Sequence, residues 1–434
     1  MKIASLFLLF ASERSANSFT VTPQTTRTFH TPTLFANNND NDGFETNLNG
    51  NTNEGNESAS SISRRSAMSK SAQSVAAILL ANTIVPAEPA LADIQYNASS
   101  KTIFITGCNS GIGYDAVKRM AKQGHEIILA CRSFAKANDA VTRIQQELDN
   151  PNLKLIPKEC NLADLNSVQA CVQGLSNDGI RNIDALCLNA GIARNTAATD
   201  VLRTAQGFEA TIGTNHLGHF YLTNQILPLM GKNSNIIITA SSVHDPDSPG
   251  GAQGSKATLG DLAGLETAVK NKDGIFDMVD GQAFDADKAY KDSKLCNVFF
   301  LRELQRRLET GDATKKKGVK VNAFTPGLIV KTGLFRDQNP IFTKVFDFVA
   351  TDLIKVGESI HFGGGALEYM TLSDSVSSKS GLYYFSPPGS SKYGDGAFGN
   401  QFTATDVSIE AREDAKGKRL WDLSEQLVGI KVMV

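Results

Sequence analysis

Residues 106–113, TGCNSGIG, follow directly on the β-branched run KTIFIT (101–106) and open a helical stretch at 114–123. Gly107, Gly111 and Gly113 let the backbone turn sharply and approach a pyrophosphate, which the N-terminus of the next helix would hold through its unpaired N–H groups. A glycine cluster by itself also serves ordinary turns. Its place between a strand and a helix is what makes it a dinucleotide-binding turn, with Asn109, Ser110 and Ile112 in the same cradle.

The next predicted strand, HEIILA (125–130), ends in Cys131-Arg132-Ser133. An enzyme that prefers NAD usually places an acid there for the ribose 2′-hydroxyl, whereas an arginine can grip a 2′-phosphate bidentately. Arg132 therefore favours NADPH over NADH. Downstream, short apolar runs alternate with amphipathic segments, the pattern of βαβ units on a parallel sheet. The predicted fold is α/β: a doubly wound parallel sheet of Rossmann type, one catalytic domain over 98–434, with the site at the carboxyl ends of the strands.

Composition narrows the function. With 41% hydrophobic and 20% charged residues the chain suits a soluble core and is too polar for a multi-span membrane protein. A formal net charge of -2 offers no basic field, so no nucleic-acid partner is expected. Cys108, Cys131, Cys160, Cys171, Cys187 and Cys296 are irregularly spaced with no CxxC pair; they read as small buried hydrophobes rather than a disulfide framework. His216 and His219 lack further ligands at suitable spacing, so no metal is expected.

Residues 1–92 read as a targeting region. A lysine and an apolar run at 6–10 have the layout of a signal peptide and are too short to span a bilayer. A Ser/Thr-rich stretch with Arg14 and Arg27 follows and resembles a plastid transit peptide, with Phe19 as its first residue after cleavage. The Asn-rich, acidic segment 37–57 has too little apolar surface to order itself. Arg64-Arg65, an apolar segment at 76–85 and Ala90-Leu91-Ala92 then resemble a twin-arginine signal, which in a plastid addresses the thylakoid. The mature enzyme would begin near Asp93. A loosely packed linker is the plainer alternative for this last segment.

Further motifs follow in order: Asn189-Ala190-Gly191 after DALCL, Asn215 in TNHLGHF, Ser242 in IIITASS, Tyr290 and Lys294 in AYKDSK, and Pro326-Gly327 in AFTPG. The ordered set resembles the short-chain dehydrogenase/reductase family over about residues 100–430. Hydride transfer must be matched by proton transfer, and a tyrosine near pKa 10 is a poor acid/base at neutral pH. Lys294 lies one helical turn from Tyr290, where its charge is expected to favour tyrosinate. The resemblance implies that Tyr290, Lys294, Ser242 and Asn215 are catalytic: Ser242 orients the substrate oxygen or a neighbouring group, and Asn215 carries a relay water. It also implies that Asn161, Leu162, Asn189, Ala190, Gly191, Pro326 and Gly327 join Arg132 and the glycine turn around NADPH, with Tyr290 and Lys294 also touching it. Asn161 stands where the family commonly has Asp.

Residues 243–289 separate Ser242 from Tyr290, far more than the family spacing. A long excursion beside an active site is often a lid, so an enlarged active-site loop over a bulky, apolar substrate is expected. More specifically, AYKDSKLCNVFFLRELQRRL, GTNHLGHFYLTNQIL, LGDLAGLE, GLFR (333–336) and KRLWDLSEQLVGI resemble the light-dependent protochlorophyllide reductases. That likeness implies NADPH, a tetrapyrrole substrate, Tyr290 as proton donor or organiser of the proton network, and a plastid setting. Leu328 departs from it, since that group normally carries a cysteine after the Pro-Gly. Two alternatives stay open: a dark NADPH-dependent carbonyl reductase of the retinol-dehydrogenase-like kind, favoured by Leu328 and SSVH, and a non-catalytic pigment- or nucleotide-binding protein. FTKVFDFVATDLI (342–354) suits an amphipathic helix that packs on its own domain, on a second copy or on the thylakoid surface. Tyr383-Tyr384-Phe385 reads as the last strand.

Overall fold

The computed structural model describes residues 99–310, 318–330, 332, 334, 357–393 and 402–430. The predicted targeting region, the amphipathic helix at 342–354 and most of GLFR lie outside the described residues. Among the described residues the strands are β1 (Thr102–Thr106), β2 (Glu126–Cys131), β3 (Leu155–Glu159), β4 (Ile183–Leu188), β5 (Met230–Thr239), β6 (Lys320–Phe324), β7 (Leu382–Phe385) and β8 (Thr403–Thr405). They form one sheet in the order β3-β2-β1-β4-β5-β6-β7-β8. The strands from β1 to β7 pair in parallel, and β8 runs antiparallel to β7. Tyr383-Tyr384-Phe385 is thus the last parallel strand but not the last strand. The addition is only Thr-Ala-Thr, all exposed, and carries no apolar signature to betray it.

The main helices are α1 (Gly111–Lys122), α2 (Phe134–Glu147), α3 (Leu165–Asn177), α4 (Gly218–Ile226), α5 (Ala263–Asn271), α6 (Ala286–Thr310), α7 (Ile360–Leu372) and α8 (Asp414–Val428). Strand side chains alternate between the sheet's faces, and both faces are buried, hence the nearly continuous apolar runs. Phe104, Ile128, Leu186 and Ile236 enter one core with residues of α3, α4, α6 and α8. Ile103, Ile105, Ile127 and Ile237 enter the other with residues of α1, α2 and α7. At Gly364 an added Cβ would collide with the Asp115 carboxylate, so α7 packs closely on α1 only because that residue is glycine.

Both rims of the sheet are guarded. β3 carries Pro157, Lys158 and Glu159, and Lys158 pairs with Asp178. Proline and charge are what an outer strand tolerates and an incoming strand does not. At the opposite rim β8 is three residues long. No helix among the described residues is long and apolar enough to cross a membrane.

The segment between Ser242 and Tyr290 differs from the expected lid. It folds around α5 and sends Ala257, Leu259, Leu262, Leu265, Ala268, Phe276 and Val279 into the first core, where Phe276 stacks on Phe208 at 6.2 Å. The outer side of α6 fastens it. Lys288 Nζ meets Asp280 at 3.0 Å, Asp292 at 2.5 Å and the Thr258 carbonyl at 2.7 Å, while Asp292 accepts from Thr258 N at 3.0 Å. Lys291 Nζ donates to the Ser255 carbonyl at 2.8 Å and to Asp287 at 2.9 Å.

Candidate active site

The carboxyl ends of β1, β2, β4, β5 and β6 open on one cleft of about 760 Å³, within the usual range for ligand sites. Its floor is the glycine turn. Gly107 holds φ +67°, and a Cβ at Gly113 would fall 2.6 Å from both Asn189 Nδ2 and the Gly107 carbonyl. Thr106 Oγ1 accepts from the backbone N–H groups of Asn189 and Ala190, each at 3.0 Å. Asn189 Nδ2 donates to the carbonyls of Thr106 at 3.0 Å and Gly107 at 3.2 Å. Asn189-Ala190-Gly191 therefore staples the end of β4 to the turn. Arg143 supports the turn from outside by donating to the Asn109 carbonyl at 2.8 Å.

The residues present fit NADPH. Ser110 precedes α1 in extended conformation and makes no side-chain cap, whereas Ser133, Asp164 and Ser359 each cap their own helix. The first N–H groups of α1 are left to an anion, and Asn109, Ser110, Gly111, Ile112 and Gly113 line the cleft beside them. Arg132, exposed, and Lys136 stand at the same mouth. Asn161, Leu162 and Ala163 form another wall, with Asn161 Oδ1 closing a turn by accepting from Ala163 N at 3.3 Å. Pro326, Gly327 and Leu328 line the side opened by β6. Gly327 is held at φ +84°, and a Cβ there would strike Glu358.

Asn215 lies in a π-helical turn, Gly213–Leu217, just ahead of α4, an irregularity common at functional sites. Fully buried, it accepts from Ile192 N at 2.8 Å and donates to the Ile192 carbonyl at 2.9 Å and Ser293 Oγ at 3.0 Å. Both amide hydrogens are thus used, and a relay water would have to bond to Oδ1. The neighbouring histidines have structural partners. His219 lies between Thr106 Oγ1 at 3.0 Å and the Asn215 carbonyl at 3.1 Å, and His216 meets Ser424 Oγ at 3.2 Å. Burial lowers their pKa values to about 3 and about 4, so both are neutral.

Tyr290 and Lys294 face the cleft from the first turns of α6, with Lys294 Nζ 5.6 Å from the centre of the phenol ring. Lys294 donates to the Thr239 carbonyl at 3.1 Å, and burial brings its pKa from 10.5 down to about 8. Burial pushes the Tyr290 phenol well above its ordinary value, opposed only in part by a hydrogen bond with Ser241. This corrects the expectation that Lys294 would make Tyr290 acidic. Desolvation by burial disfavours charge on both groups and is the largest cause of each shift.

Ser242 is a second correction. Ser241 and Val243 line the cleft together with Tyr290, and the Ser241 hydroxyl acts on the phenol by holding its pKa down. Ser241 is extended (φ −162°, ψ 148°) at the start of the helical turn Ser242–His244, and Ser242, the first residue of that turn, is not among the residues that line the cleft. Ser242 is held through its backbone, its N donating to Thr325 Oγ1 at 3.2 Å and its carbonyl accepting from Ser248 Oγ at 2.8 Å. The residues from 244 to 289 contribute nothing to the cleft lining. Arg194 and Leu202, which lie outside the sequence motifs, do line it, as do Thr214 of TNHLGHF and Thr239 of IIITASS; Arg194 is paired with Asp200 at 3.1 Å.

The short chain dehydrogenase family model matches residues 101–258. The chain is 35% identical over 346 residues to the chloroplastic protochlorophyllide reductase of Chlamydomonas reinhardtii, covering 79% of this chain and 81% of that protein. It is 34% identical over 349 residues to the chloroplastic protochlorophyllide reductase A of Oryza sativa subsp. japonica, covering 78% and 83%. For the chloroplastic protochlorophyllide reductase of Cucumis sativus the identity is 33% over 338 residues, covering 76% and 78%. Among solved structures, an uncharacterized protein from Mycobacterium Paratuberculosis shares the fold, with a TM-score of 0.53 and 24% identity over 80% of this chain and 99% of that one.

Proposed function

The chain belongs to the short-chain dehydrogenase/reductase family and is an oxidoreductase; on that footing we propose that it reduces one C=C bond of protochlorophyllide to give chlorophyllide, with NADPH and light, in the plastid. The observation that carries this reading is the 35% identity to a protochlorophyllide reductase across 79% of the chain. The cleft supports it with the pair Tyr290 and Lys294 beside a dinucleotide cradle. NADPH, when bound, supplies the hydride. The glycine turn and the start of α1 hold its pyrophosphate, Arg132 its 2′-phosphate and Lys294 its nicotinamide ribose. Tyr290 keeps its phenolic proton in the buried site and gives it up to the reduced double bond, which suits a reduction better than a tyrosinate would. Ser241 Oγ orients that phenol, and Asn215 fixes the backbone at Ile192 behind it.

The three relatives are chloroplastic, in keeping with residues 1–92 as a plastid address removed near Asp93. The mature protein would then sit against the thylakoid surface. The second reading, dark reduction of a carbonyl, is favoured by Leu328, which lines the cleft where the likeness calls for a cysteine.

One assay separates the readings. Purified full-length protein is mixed in darkness with NADPH and protochlorophyllide, and absorbance is compared before and after a flash. A shift to the chlorophyllide spectrum is expected. No shift, with NADPH oxidised in darkness by retinal-like carbonyls, transfers the assignment to the second reading; pigment binding without turnover under either condition removes the enzymatic reading.

A further inference from the structure

His244 takes no part in the site described above, yet it is 2% exposed and touches the turn that presents Ser241. Its Nε2 lies 3.3 Å from the backbone N of Ser408, a group that can only donate, so Nε2 must carry the lone pair. The ring proton then sits on Nδ1, which donates to the Ser241 carbonyl at 2.7 Å. One tautomer satisfies both contacts. The ring stands edge-on against Tyr383 at 5.0 Å, which leaves it little freedom to rotate. Burial lowers the His244 pKa, in agreement with a neutral ring.

The Ser241–Ser242 peptide is therefore held on both sides. Its carbonyl receives His244 Nδ1 and also His244 N at 3.2 Å, while its N–H reaches Thr325 Oγ1 at 3.2 Å. The direction of the Ser241 side chain follows from the setting of that peptide, because the one backbone group its hydroxyl meets is Val243 N, at a long 3.4 Å. We propose that His244 is a positioning residue: by bridging the Ser241 carbonyl to the backbone of Ser408, it aims the Ser241 hydroxyl at Tyr290 and makes the segment around Ser408 part of the catalytic geometry. The inference rests on the reading of Ser241 as the hydroxyl that serves Tyr290.

The test is a cycle of full-length variants, assayed with NADPH and whichever of the two substrates above is turned over. His244→Phe is expected to lower kcat about tenfold, the rate equivalent of one lost hydrogen bond, with KM for NADPH changed less than about twofold. His244→Asn can present an N–H to the Ser241 carbonyl from the place of Nδ1, and should recover most of that loss. In a Ser241→Ala background His244→Phe should cost nothing further, because the two act through one hydroxyl. If the loss is the same in both backgrounds, or if Asn is as poor as Phe, the positioning role is wrong. If Ser241→Ala alone leaves kcat unchanged, the reading of Ser241 fails, and the inference with it. Should His244→Phe not fold, His244→Gln, which reaches Ser408 but not Ser241, takes its place in the cycle.

Discussion

Lys294 is a cation that the fold disfavours. Its pKa falls from 10.5 unfolded to about 8 in the protein because burial strips its water. Between those values the unfolded chain binds the extra proton, so stability rises with pH through that window and is lowest, as far as this group is concerned, below pH 8. The shift corresponds to about 3 kcal/mol at neutral pH, against about 1 kcal/mol for the bond to the Thr239 carbonyl. Lys294→Met is therefore expected to abolish turnover yet raise stability by roughly 1–2 kcal/mol at pH 7. Denaturant titrations at pH 7 and pH 10 check this, since the gain should shrink at the higher pH. The spacing of Tyr290 and Lys294 was legible in the sequence because helix geometry puts residues four apart on one face. Ser241 was not, because a Ser-Ser doublet does not show which member an extended backbone turns inward. The sign of the Tyr290 shift was also hidden, since it depends on how much water the finished fold removes.

At the scale of an element, α6 presents two faces that one motif encodes together. In AYKDSK, Tyr290 and Lys294 look into the cleft, while Lys291 and Asp292, with Lys288 before them, hold the inserted segment on the opposite side. The length of the insertion was plain from the sequence. Its fate was not, because the anchoring charges are interleaved with the catalytic ones and read as a solvated helix face. Lys288→Ala leaves the fully buried Asp292 without its cation, and removing one partner of a buried pair typically costs about 3–5 kcal/mol. A fall in unfolding free energy of that size, with KM for substrate unchanged, is expected from parallel denaturation and kinetic measurements. A raised KM at unaltered stability would return the segment to the role of a lid.

For the molecule as a whole, a sheet buried on both faces ties the two cores into one unit. Trp421, the single tryptophan, packs edge-on to Phe220 at 4.8 Å and lies under Arg307 at 4.4 Å, deep in the core that α6 and α8 share. Its emission should follow the same unfolding transition as far-ultraviolet circular dichroism. NADPH at a hundred times its Kd should add about 2.7 kcal/mol, and Arg132→Glu should remove that gain while leaving the one from NADH. An equal loss for both nucleotides would dismiss Arg132 as the 2′-phosphate ligand. The parallel architecture was legible because apolar runs alternate with amphipathic ones; β8 was not, being three exposed residues placed by the tertiary fold. The proline of β3 and the brevity of β8 also bear on how copies of this protein meet. Among the described residues, both outer strands offer a neighbour little to zip on to, which disfavours the usual road to fibres by strand recruitment. Contacts between copies are then expected to run through helix surfaces rather than from strand to strand.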